Sequence, residues 1–527
     1  MTFQKLIFLI LLIFSGFILL DHTLFYQSFL AQGDHGRDLY AFAATLRGDL
    51  PYRDYWWVYG PLMPFYYAGF LKLFSVSVSS VLLGAFLLRI IGGVFVYLTL
   101  TLYGPAFLAY MGALWFMLFR PEFFFTYSHL GGITLLCAFF FCVLSSFRFR
   151  KLSYLYGALF CAFLLCLVKI NFGLCAYVIF GGAALCHHFD FKTTIRRLTA
   201  SAALSLTAVA LIYFELLKDL PFYAVRQCLP YFKSDHPYNM PVWQGVALWI
   251  REWSGGITAS PVSMILSTVV AILLGSGIYQ MIKGRFDPRQ RDFLIASFGV
   301  LLISYIFLNH EFFLSGVPYR MFWAYPAGLL IMFISIEISA AHIRRWISIL
   351  LFLSLLLFTG TQYARHSRAL ETLIDSGKIL NVPNARVLLQ NPTEWLSTVE
   401  QTTHFLKKTL KNDETFFAMP YEPLYYFLLN RPSPTRQLIF FEHINIPEEQ
   451  ERKVIADLEA TKTNYVLVSN RAFYTSEHGL GRFGQTYCPL LFHYIDKNFK
   501  KIATFGPWYS SPGWISGHAV KIFQRKP

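Results

Sequence analysis

The chain has 527 residues, of which 55% are hydrophobic and only 14% are charged. Soluble proteins carry about 25% charged residues, so this composition excludes an ordinary soluble globular protein. Apolar runs recur from Leu6 to about Gly360, and many approach the roughly 20 residues that cross a bilayer as a helix. We therefore predict a polytopic α-helical membrane protein.

The net charge of +15 raises the question of a nucleic-acid partner, but the positions of the basic residues argue against one. They cluster in short loops between apolar runs, which is typical of the cytoplasmic side of a membrane protein. Membrane lipid is thus an expected partner and nucleic acid is not. The four clusters are Arg148/Arg150/Lys151, Lys192/Arg196/Arg197, Lys283/Arg285/Arg289/Arg291 and Arg344/Arg345.

The basic clusters indicate how the chain threads through the membrane. Lys5 precedes the first apolar run, Leu6–Leu20, and no cleavage site follows it, so we predict an uncleaved first span with a cytoplasmic N-terminus. About eleven spans then place all four clusters inside and the C-terminus outside. The predicted location is the inner (plasma) membrane. Seven of the later spans are predicted at 79–103, 106–119, 131–147, 152–168, 172–186, 198–217 and 293–308.

The composition changes after residue 360. Residues 1–362 are predicted to form the transmembrane domain, with an outer segment at 21–78, and residues 363–527 an extracytoplasmic α/β domain. Apolar residues at helical spacing predict an amphipathic helix over Pro447–Lys462. Strands are predicted at Phe416–Met419, Leu438–Phe441 and Tyr465–Val468, followed by a hairpin of Ile502–Phe505 and Ala519–Phe523.

The eight cysteines indicate neither a disulfide framework nor a metal site. Six lie in or at the ends of apolar runs, where they pack as small hydrophobes. Cys228 and Cys488 are predicted outside the membrane, and the sequence leaves their pairing open. No zinc-type spacing of Cys and His appears, so no metal or other cofactor is predicted, and dependence on a divalent metal is left open by the sequence.

The outer segment 21–78 is too polar to lie in lipid. Its stretches Leu39–Leu46 and Pro64–Phe74 are rich in aromatic residues and too short to span, so we predict amphipathic helices lying in the membrane interface. Three runs combine charge, glycine and aromatic residues: Gly33-Asp34-His35-Gly36-Arg37-Asp38, Leu46-Arg47-Gly48-Asp49-Leu50-Pro51-Tyr52-Arg53-Asp54 and Tyr59-Gly60-Pro61-Leu62.

Together with the many spans, these runs resemble the GT-C glycosyltransferases, in particular protein O-mannosyltransferases and lipid A aminoarabinose transferases. In the C-terminal part, Pro420-Tyr421-Glu422-Pro423 followed by Asn430-Arg431-Pro432 resembles bacterial members of that branch. The resemblance implies an inverting transferase that moves a monosaccharide from a polyprenyl-phosphate donor to a hydroxyl on the extracytoplasmic face. It leaves the sugar open, and it leaves open whether the acceptor is a glycan, a lipid or a protein.

The resemblance also implies an essential acidic residue in the first outer loop, usually an Asp-Glu pair. Asp34 matches the Asp, His35 replaces the Glu, and Asp38, one helical turn further on, is a candidate for the second carboxylate. Inverting transfer separately requires a general base for the acceptor hydroxyl. We therefore predict that Asp34 and Asp38 are catalytic; the alternative role for Asp34 is a helix cap.

Cationic residues are the second group of candidates, because the donor phosphate needs a positive partner. Lys169, at the outer end of the fifth span, resembles the lysine that meets the carrier phosphate in aminoarabinose transferases; a snorkelling anchor is its alternative role. The remaining predicted substrate- or phosphate-binding residues are Arg37, Arg53, Arg320, His35, Asp54 and Tyr59. Weaker candidates in two other outer loops are Arg120, Glu122, His129, His310 and Glu311.

Two other classes of function stay open from sequence. A lipid or glycan transporter would concentrate polar groups near the middle of the membrane, whereas the polar residues of this chain concentrate at its outer surface. A membrane scaffold with an outer domain would not need the clustered acidic and basic residues of the segment 34–54.

Overall fold

In a computed structural model, the described residues of the chain are 2–20, 30, 33–118, 126–186, 191–229, 239–259, 275, 279, 283, 287–339, 343–357, 360, 379–388, 393–473, 481–510 and 517–527. They form a bundle of apolar helices followed by an α/β region. The domain boundary predicted between residues 362 and 363 falls outside the described residues.

Helices account for nearly all of the N-terminal part. They are α1 (Phe3–Leu20), α2 (Gly33–Arg47), α3 (Leu62–Leu73), α4 (Val78–Leu100), α5 (Ala106–Leu118), α6 (Tyr127–Phe149), α7 (Leu152–Val168), α8 (Ile170–Leu185), α9 (Phe191–Leu217), α10 (Phe222–Cys228), α11 (Val242–Ala259), α12 (Pro288–Leu308), α13 (His310–Phe313), α14 (Tyr325–Ile338) and α15 (residues 343–357). A 3-10 helix, Pro318–Ala324, leads into α14.

Within the described residues, five helices are long and apolar enough to cross a membrane: Val78–Leu100, Tyr127–Phe149, Thr194–Leu217, Pro288–Phe313 and Arg320–Ile338. Helices α1, α5, α7 and α8 are equally apolar but shorter. Large apolar side chains lie exposed on α1 and α9, among them Phe14, Leu204 and Phe214, which are 63%, 73% and 64% exposed. Such outward apolar faces fit a lipid surrounding, so the chain is a membrane protein.

Helices α4 to α8 pack against one another as the core of the bundle. Lipid offers no partner to polar groups, and hydrogen bonds accordingly join neighbouring helices. Thr134 of α6 donates to the Leu88 carbonyl of α4 at 2.8 Å, and Tyr213 of α9 donates to the Cys166 carbonyl of α7 at 2.8 Å. The predicted spans 79–103 to 198–217 coincide with α4 to α9. The total of about eleven stays a prediction, because the eighth span lies mostly outside the described residues.

Helices α2 and α3 both exist, and α2 is largely covered by other parts of the protein; their predicted position in the membrane interface stays a prediction. Helix α2 begins six residues before the predicted start, at Gly33, and nearly all of its side chains are buried. It packs on α3 along one side and on the C-terminal part of the chain along another. Tertiary packing therefore covers aromatic residues that the sequence pattern assigned to the interface.

Among its described residues, the C-terminal region contains two sheets and four α-helices. A hairpin pairs β1 (Ile379–Val382) with β2 (Ala385–Leu388), and a four-stranded sheet has the order β3-β4-β6-β5. Its strands β3 and β4 are parallel, and β4, β6 and β5 are antiparallel. The remaining elements are β3 (Phe416–Met419), β4 (Tyr465–Ser469), β5 (Phe499–Phe505), β6 (Val520–Arg525), α16 (Thr393–Thr409), α17 (Leu424–Leu429), α18 (Glu448–Ala460) and α19 (Pro489–Asn498).

Most of the predicted C-terminal elements are confirmed, with one exception. The predicted strand Leu438–Phe441 is not a strand, although all four residues are buried. The Phe440 amide donates to the Pro420 carbonyl at 2.8 Å, which fixes the segment beside the start of α17 without a ladder. A buried apolar run thus marks the core here, and its periodicity cannot distinguish a strand from a packed loop.

The two cysteines whose pairing the sequence left open are not joined to each other. Both are buried, and the Sγ of Cys228 lies 3.3 Å from a guanidinium nitrogen of Arg436. Cys488 lies in a separate apolar cluster under the four-stranded sheet.

Candidate active site

The first turn and a half of α2 brings together three of the predicted site residues. Asp34, Arg37 and Asp38 lie on one face, because positions three and four apart are neighbours on a helix. One guanidinium nitrogen of Arg37 donates to Oδ1 of Asp34 at 2.9 Å, and another donates to Oδ1 of Asp38 at 2.8 Å. The carboxylates thus share one arginine.

The two carboxylates differ sharply in exposure. The side chain of Asp34 is 40% exposed, whereas that of Asp38 is fully buried. Asp38 also accepts a long hydrogen bond from the Ser128 hydroxyl, at 3.4 Å. Burial raises the pKa of Asp38 to about 6, although the charge of Arg37 opposes the rise. Of the two carboxylates, only that of Asp34 is accessible from outside, whereas that of Asp38 is enclosed with Arg37.

His35 occupies the position where the resemblance expected a glutamate. Its ring is buried and lies 5.0 Å from the ring of Tyr127. Burial lowers the pKa of His35 to about 4, so the ring is neutral at physiological pH. The second acidic group of the segment is therefore Asp38 rather than the residue after Asp34.

Lys169 lies at the break between α7 and α8, where its backbone is extended. Its ammonium group is 2.7 Å from a carboxylate oxygen of Glu311, and both side chains are largely buried. Asn171 donates to the same carboxylate at 2.7 Å and also contacts His310 at 2.8 Å. A snorkelling lysine keeps its ammonium group in water, whereas the ammonium group of Lys169 is largely buried against Glu311. Removal of either partner would leave a buried charge without its counter-charge.

Tyr59 connects the lysine to the arginine. The Arg37 guanidinium lies 4.9 Å from the centre of the Tyr59 ring, and the Lys169 ammonium lies 5.7 Å from it. The rings of Phe172 and Trp323 also face Lys169, at 5.1 and 5.5 Å. Both cations therefore contact the Tyr59 ring.

The loop that carries Tyr59 is fixed against the end of α7. The Gly60 amide donates to the Val168 carbonyl at 2.7 Å, one residue before Lys169. A Cβ atom at Gly60 would lie 2.1 Å from the Leu167 carbonyl oxygen, so only glycine fits this contact. This close approach sets the spacing between Tyr59 and Lys169.

The other predicted residues divide into two groups. Arg320, in the 3-10 helix before α14, is half-buried and close enough for its charge to act on Lys169 and Glu311. Arg53 and Asp54 instead pair with each other through hydrogen bonds of 2.9 Å, with both side chains partly exposed. The Asp54 carboxylate also accepts the Leu50 amide at 2.8 Å, so its role here is to close a local turn.

Sequence reasoning assigned no role to Tyr421, which the structure places at the site. Its hydroxyl donates to Oδ1 of Asp34 and accepts from Arg37 at 3.2 Å. The residue lies in the quoted Pro420-Tyr421-Glu422 run, but nothing local connects that run to a residue nearly 400 positions earlier. Glu311 was only a weak candidate, and its ion pair with Lys169 was not predicted.

The weaker candidates are only partly described. Arg120 and Glu122 lie outside the described residues. His129 is buried between the rings of Tyr59 and Trp323, at 5.0 and 5.3 Å. A search of the described part of the chain finds no group of three His, Cys, Asp or Glu side chains that could hold a metal ion.

Solved structures share this fold along nearly the whole chain. ArnT from Cupriavidus metallidurans in the apo state aligns with a TM-score of 0.57 and 11% identity, covering 97% of each chain. ArnT from the same organism bound to undecaprenyl phosphate aligns with a TM-score of 0.51 and 11% identity, covering 98% of this chain and 97% of that one. The oligosaccharyltransferase AglB from Archaeoglobus fulgidus reaches 0.49 at 12% identity, covering 97% of this chain and 74% of that one.

At the level of sequence, no family model and no curated protein matches the chain. ArnT is a member of the GT-C superfamily. The chain therefore has the fold of ArnT, which confirms the fold that the resemblance carried by its first outer segment predicted.

Proposed function

We propose that the protein is an inverting glycosyltransferase that moves a monosaccharide from a polyprenyl-phosphate donor to an acceptor hydroxyl on the extracytoplasmic face of the membrane. The observation that carries the proposal is the partly exposed carboxylate of Asp34 paired with the buried Arg37, with the buried Lys169 against the same Tyr59 ring as Arg37. The structure of ArnT with undecaprenyl phosphate, which has the same fold, supports a lipid-phosphate donor.

Asp34 is the general base of the proposed reaction. Its carboxylate takes the proton of the acceptor hydroxyl as the acceptor oxygen bonds to C1 of the sugar. The bond between C1 and the phosphate oxygen breaks at the same time, and its electron pair leaves with the polyprenyl phosphate. Attack from the side opposite the phosphate inverts the configuration at C1. No covalent enzyme intermediate is needed.

The cations neutralise the leaving phosphate. Lys169 is a point charge of the kind that binds phosphate, and Arg37 contacts the same Tyr59 ring. Arg320 adds a third positive charge near the lysine. Lys169 already forms an ion pair with Glu311. The donor phosphate therefore binds Lys169 either by displacing the Glu311 carboxylate or by sharing the ammonium group with it. Desolvated charges interact strongly, which favours phosphate departure in a site closed by aromatic rings.

The polar groups converge at the outer ends of the helices under the predicted threading. Asp34 lies just beyond α1, Lys169 at the outer end of α7 and Arg320 just before α14. A transporter is expected to hold its polar groups near the membrane midplane instead. The arrangement therefore favours chemistry at the outer surface over passage through the bundle.

The test is donor turnover by the purified protein. Wild-type protein is incubated with polyprenyl-phosphate sugars, and released polyprenyl phosphate is measured with and without candidate acceptors. We expect release by the wild type and a loss of about 100-fold or more in Asp34→Asn, since a general base contributes 10²–10⁴-fold.

Asp49→Asn is the matched control. Asp49 belongs to the same outer segment, and its side chain is 39% exposed, close to the 40% of Asp34. We expect its turnover to equal that of the wild type. Near-wild-type turnover by Asp34→Asn would contradict the assignment of Asp34 as the general base. Failure of the wild type to release polyprenyl phosphate from any donor would argue against the proposed transferase activity itself.

A further inference from the structure

The C-terminal region approaches the first turn of α2 so closely at Gly33 and Gly36 that no side chain would fit at these two positions. A Cβ atom at Gly33 would lie 2.1 Å from Cδ1 of Tyr421, and one at Gly36 would lie 2.7 Å from Cβ of Leu424. Both neighbours belong to the segment that opens α17. Glycines flanking Asp34 thus let the C-terminal region reach that carboxylate.

Three further hydrogen bonds fix this contact away from Tyr421. The Ser433 amide donates to the Tyr40 hydroxyl at 2.9 Å, and the Trp56 amide donates to the Arg436 carbonyl at 2.9 Å. The Arg436 guanidinium donates in turn to the Tyr52 carbonyl at 2.5 Å. The C-terminal region is therefore bound to the outer segment at several points, and the position of the Tyr421 ring is determined by all of them.

The Tyr421 hydroxyl is directed at one oxygen of Asp34. Its ring is buried, its hydroxyl donates to Oδ1, and Arg37 donates to the same oxygen at 2.9 Å. Within the described residues, the hydrogen bonds of this carboxylate go to Oδ1 alone, while the side chain stays 40% exposed. Two donors thus fix one oxygen and leave the other to face the open side.

We propose that Tyr421 is a positioning residue for the base, so that the C-terminal region completes the active site and does not merely hold the acceptor. The inference rests on the proposed role of Asp34. With Oδ1 held by Tyr421 and Arg37, Oδ2 is presented to the acceptor hydroxyl in a fixed direction. Burial raises the pKa of Tyr421 well above its ordinary value, so the hydroxyl keeps its proton and remains a donor.

The test is Tyr421→Phe in the full-length protein, with steady-state release of polyprenyl phosphate as the readout. A misdirected base slows the chemical step, so we expect kcat to fall about 10-fold to 100-fold. The KM for the donor should stay within about twofold, because Arg37 keeps its ion pairs with Asp34 and Asp38 and Lys169 keeps its ion pair with Glu311. Thermal unfolding is measured in parallel, so that loss of folded protein is not read as loss of rate.

Tyr425→Phe is the matched control. Tyr425 is buried in α17, four residues after Tyr421, and its hydroxyl contacts His518 at 3.3 Å instead of Asp34. We expect a wild-type kcat for this variant. Equal losses of kcat in both variants would indicate a general packing effect and overturn the proposal.

A wild-type kcat in Tyr421→Phe would also overturn it. If Asp34→Asn is inactive in the same assay, that result leaves the proposed transferase in place and removes only Tyr421; if Asp34→Asn is active, the base assignment itself fails. Should Tyr421→Phe fold poorly, Gly33→Ala pushes the same ring away from Asp34. The same fall in kcat at constant KM is expected there, and an unchanged kcat would contradict the positioning role.

Discussion

Asp38 shows how burial divides two neighbouring carboxylates into different roles. Both accept from Arg37, but Asp38 is fully enclosed and Asp34 is open. A general base must reach its substrate. Because Asp38 is buried, the role that we propose for it is to orient Arg37. The Lys169–Glu311 pair follows the same logic, because each buried charge is retained only with its partner.

The raised pKa of Asp38 predicts a pH dependence. Burial raises this pKa to about 6, so the carboxylate is charged above that pH and takes up a proton as the pH falls through it. Protonation weakens the ion pair that orients Arg37 and, through it, Asp34. We therefore expect kcat to fall as the pH drops through about 6, measured as release of polyprenyl phosphate at saturating donor.

Asp38→Asn tests the assignment of that fall. The amide cannot titrate, so the variant is expected to be slower, by about 10-fold or more, and to lack the step near pH 6. A step that persists near pH 6 in Asp38→Asn belongs to another group, and would contradict the role given to Asp38.

At the scale of elements, the contact between the Tyr59 loop and the end of α7 sets the width of the site. A Cβ atom at Gly60 would meet the backbone oxygen of Leu167 at 2.1 Å, and a backbone atom in a packed helix cannot move aside. Gly60→Ala is therefore expected to lower stability by about 1–3 kcal/mol. It should also raise the KM for the donor, measured in detergent beside a thermal unfolding curve.

Gly69→Ala is the control for that substitution. Gly69 lies in α3, and a Cβ atom there would meet nothing within 4 Å. Alanine is the better helix former by about 1 kcal/mol, so the unfolding temperature should hold or rise and the donor KM should not change. A Gly60→Ala variant that behaves like Gly69→Ala would show that the loop is not fixed by this contact.

The sequence predicted correctly the features that are determined by residues close together in the chain. Helices α4 to α9 were predicted because a span is a continuous apolar run of limited length. Burial of α2 and the loop at Leu438–Phe441 were not, because tertiary packing decides both. Asp34, Arg37 and Asp38 meet within one and a half helical turns, and that local spacing is visible in the sequence.

The contacts that complete the site are long-range. Tyr421 reaches Asp34 across 387 positions, and Lys169 reaches Glu311 across 142. No local pattern in a single sequence encodes such a pairing. Gly33 and Gly36 are visible in the sequence, but the side chains of Tyr421 and Leu424, which require glycine at these positions, cannot be inferred from it. The site is thus assembled by the whole fold, although Asp34, Arg37 and Asp38 lie in one short helix.

At the scale of the whole molecule, the proposal depends on which side of the membrane holds α2. The predicted threading places the segment 33–54 outside and the end of α8 inside. Cys186 is exposed at that end of α8, so its labelling can show which side of the membrane holds this end. Asp49 is well exposed in the outer segment and takes no part in the proposed site.

Labelling with a membrane-impermeant maleimide shows on which side of the membrane each of these two positions, 49 and 186, lies. We expect Asp49→Cys, in a Cys186→Ser background, to react on intact cells. The wild type should react at Cys186 only after the membrane is permeabilised, because the reagent otherwise cannot reach the cytoplasmic end of α8. The reverse result would place Asp34 and its arginine in the cytosol. A base on that side cannot serve an extracytoplasmic acceptor, so the proposed reaction would fail even though the fold and the ion pairs stand.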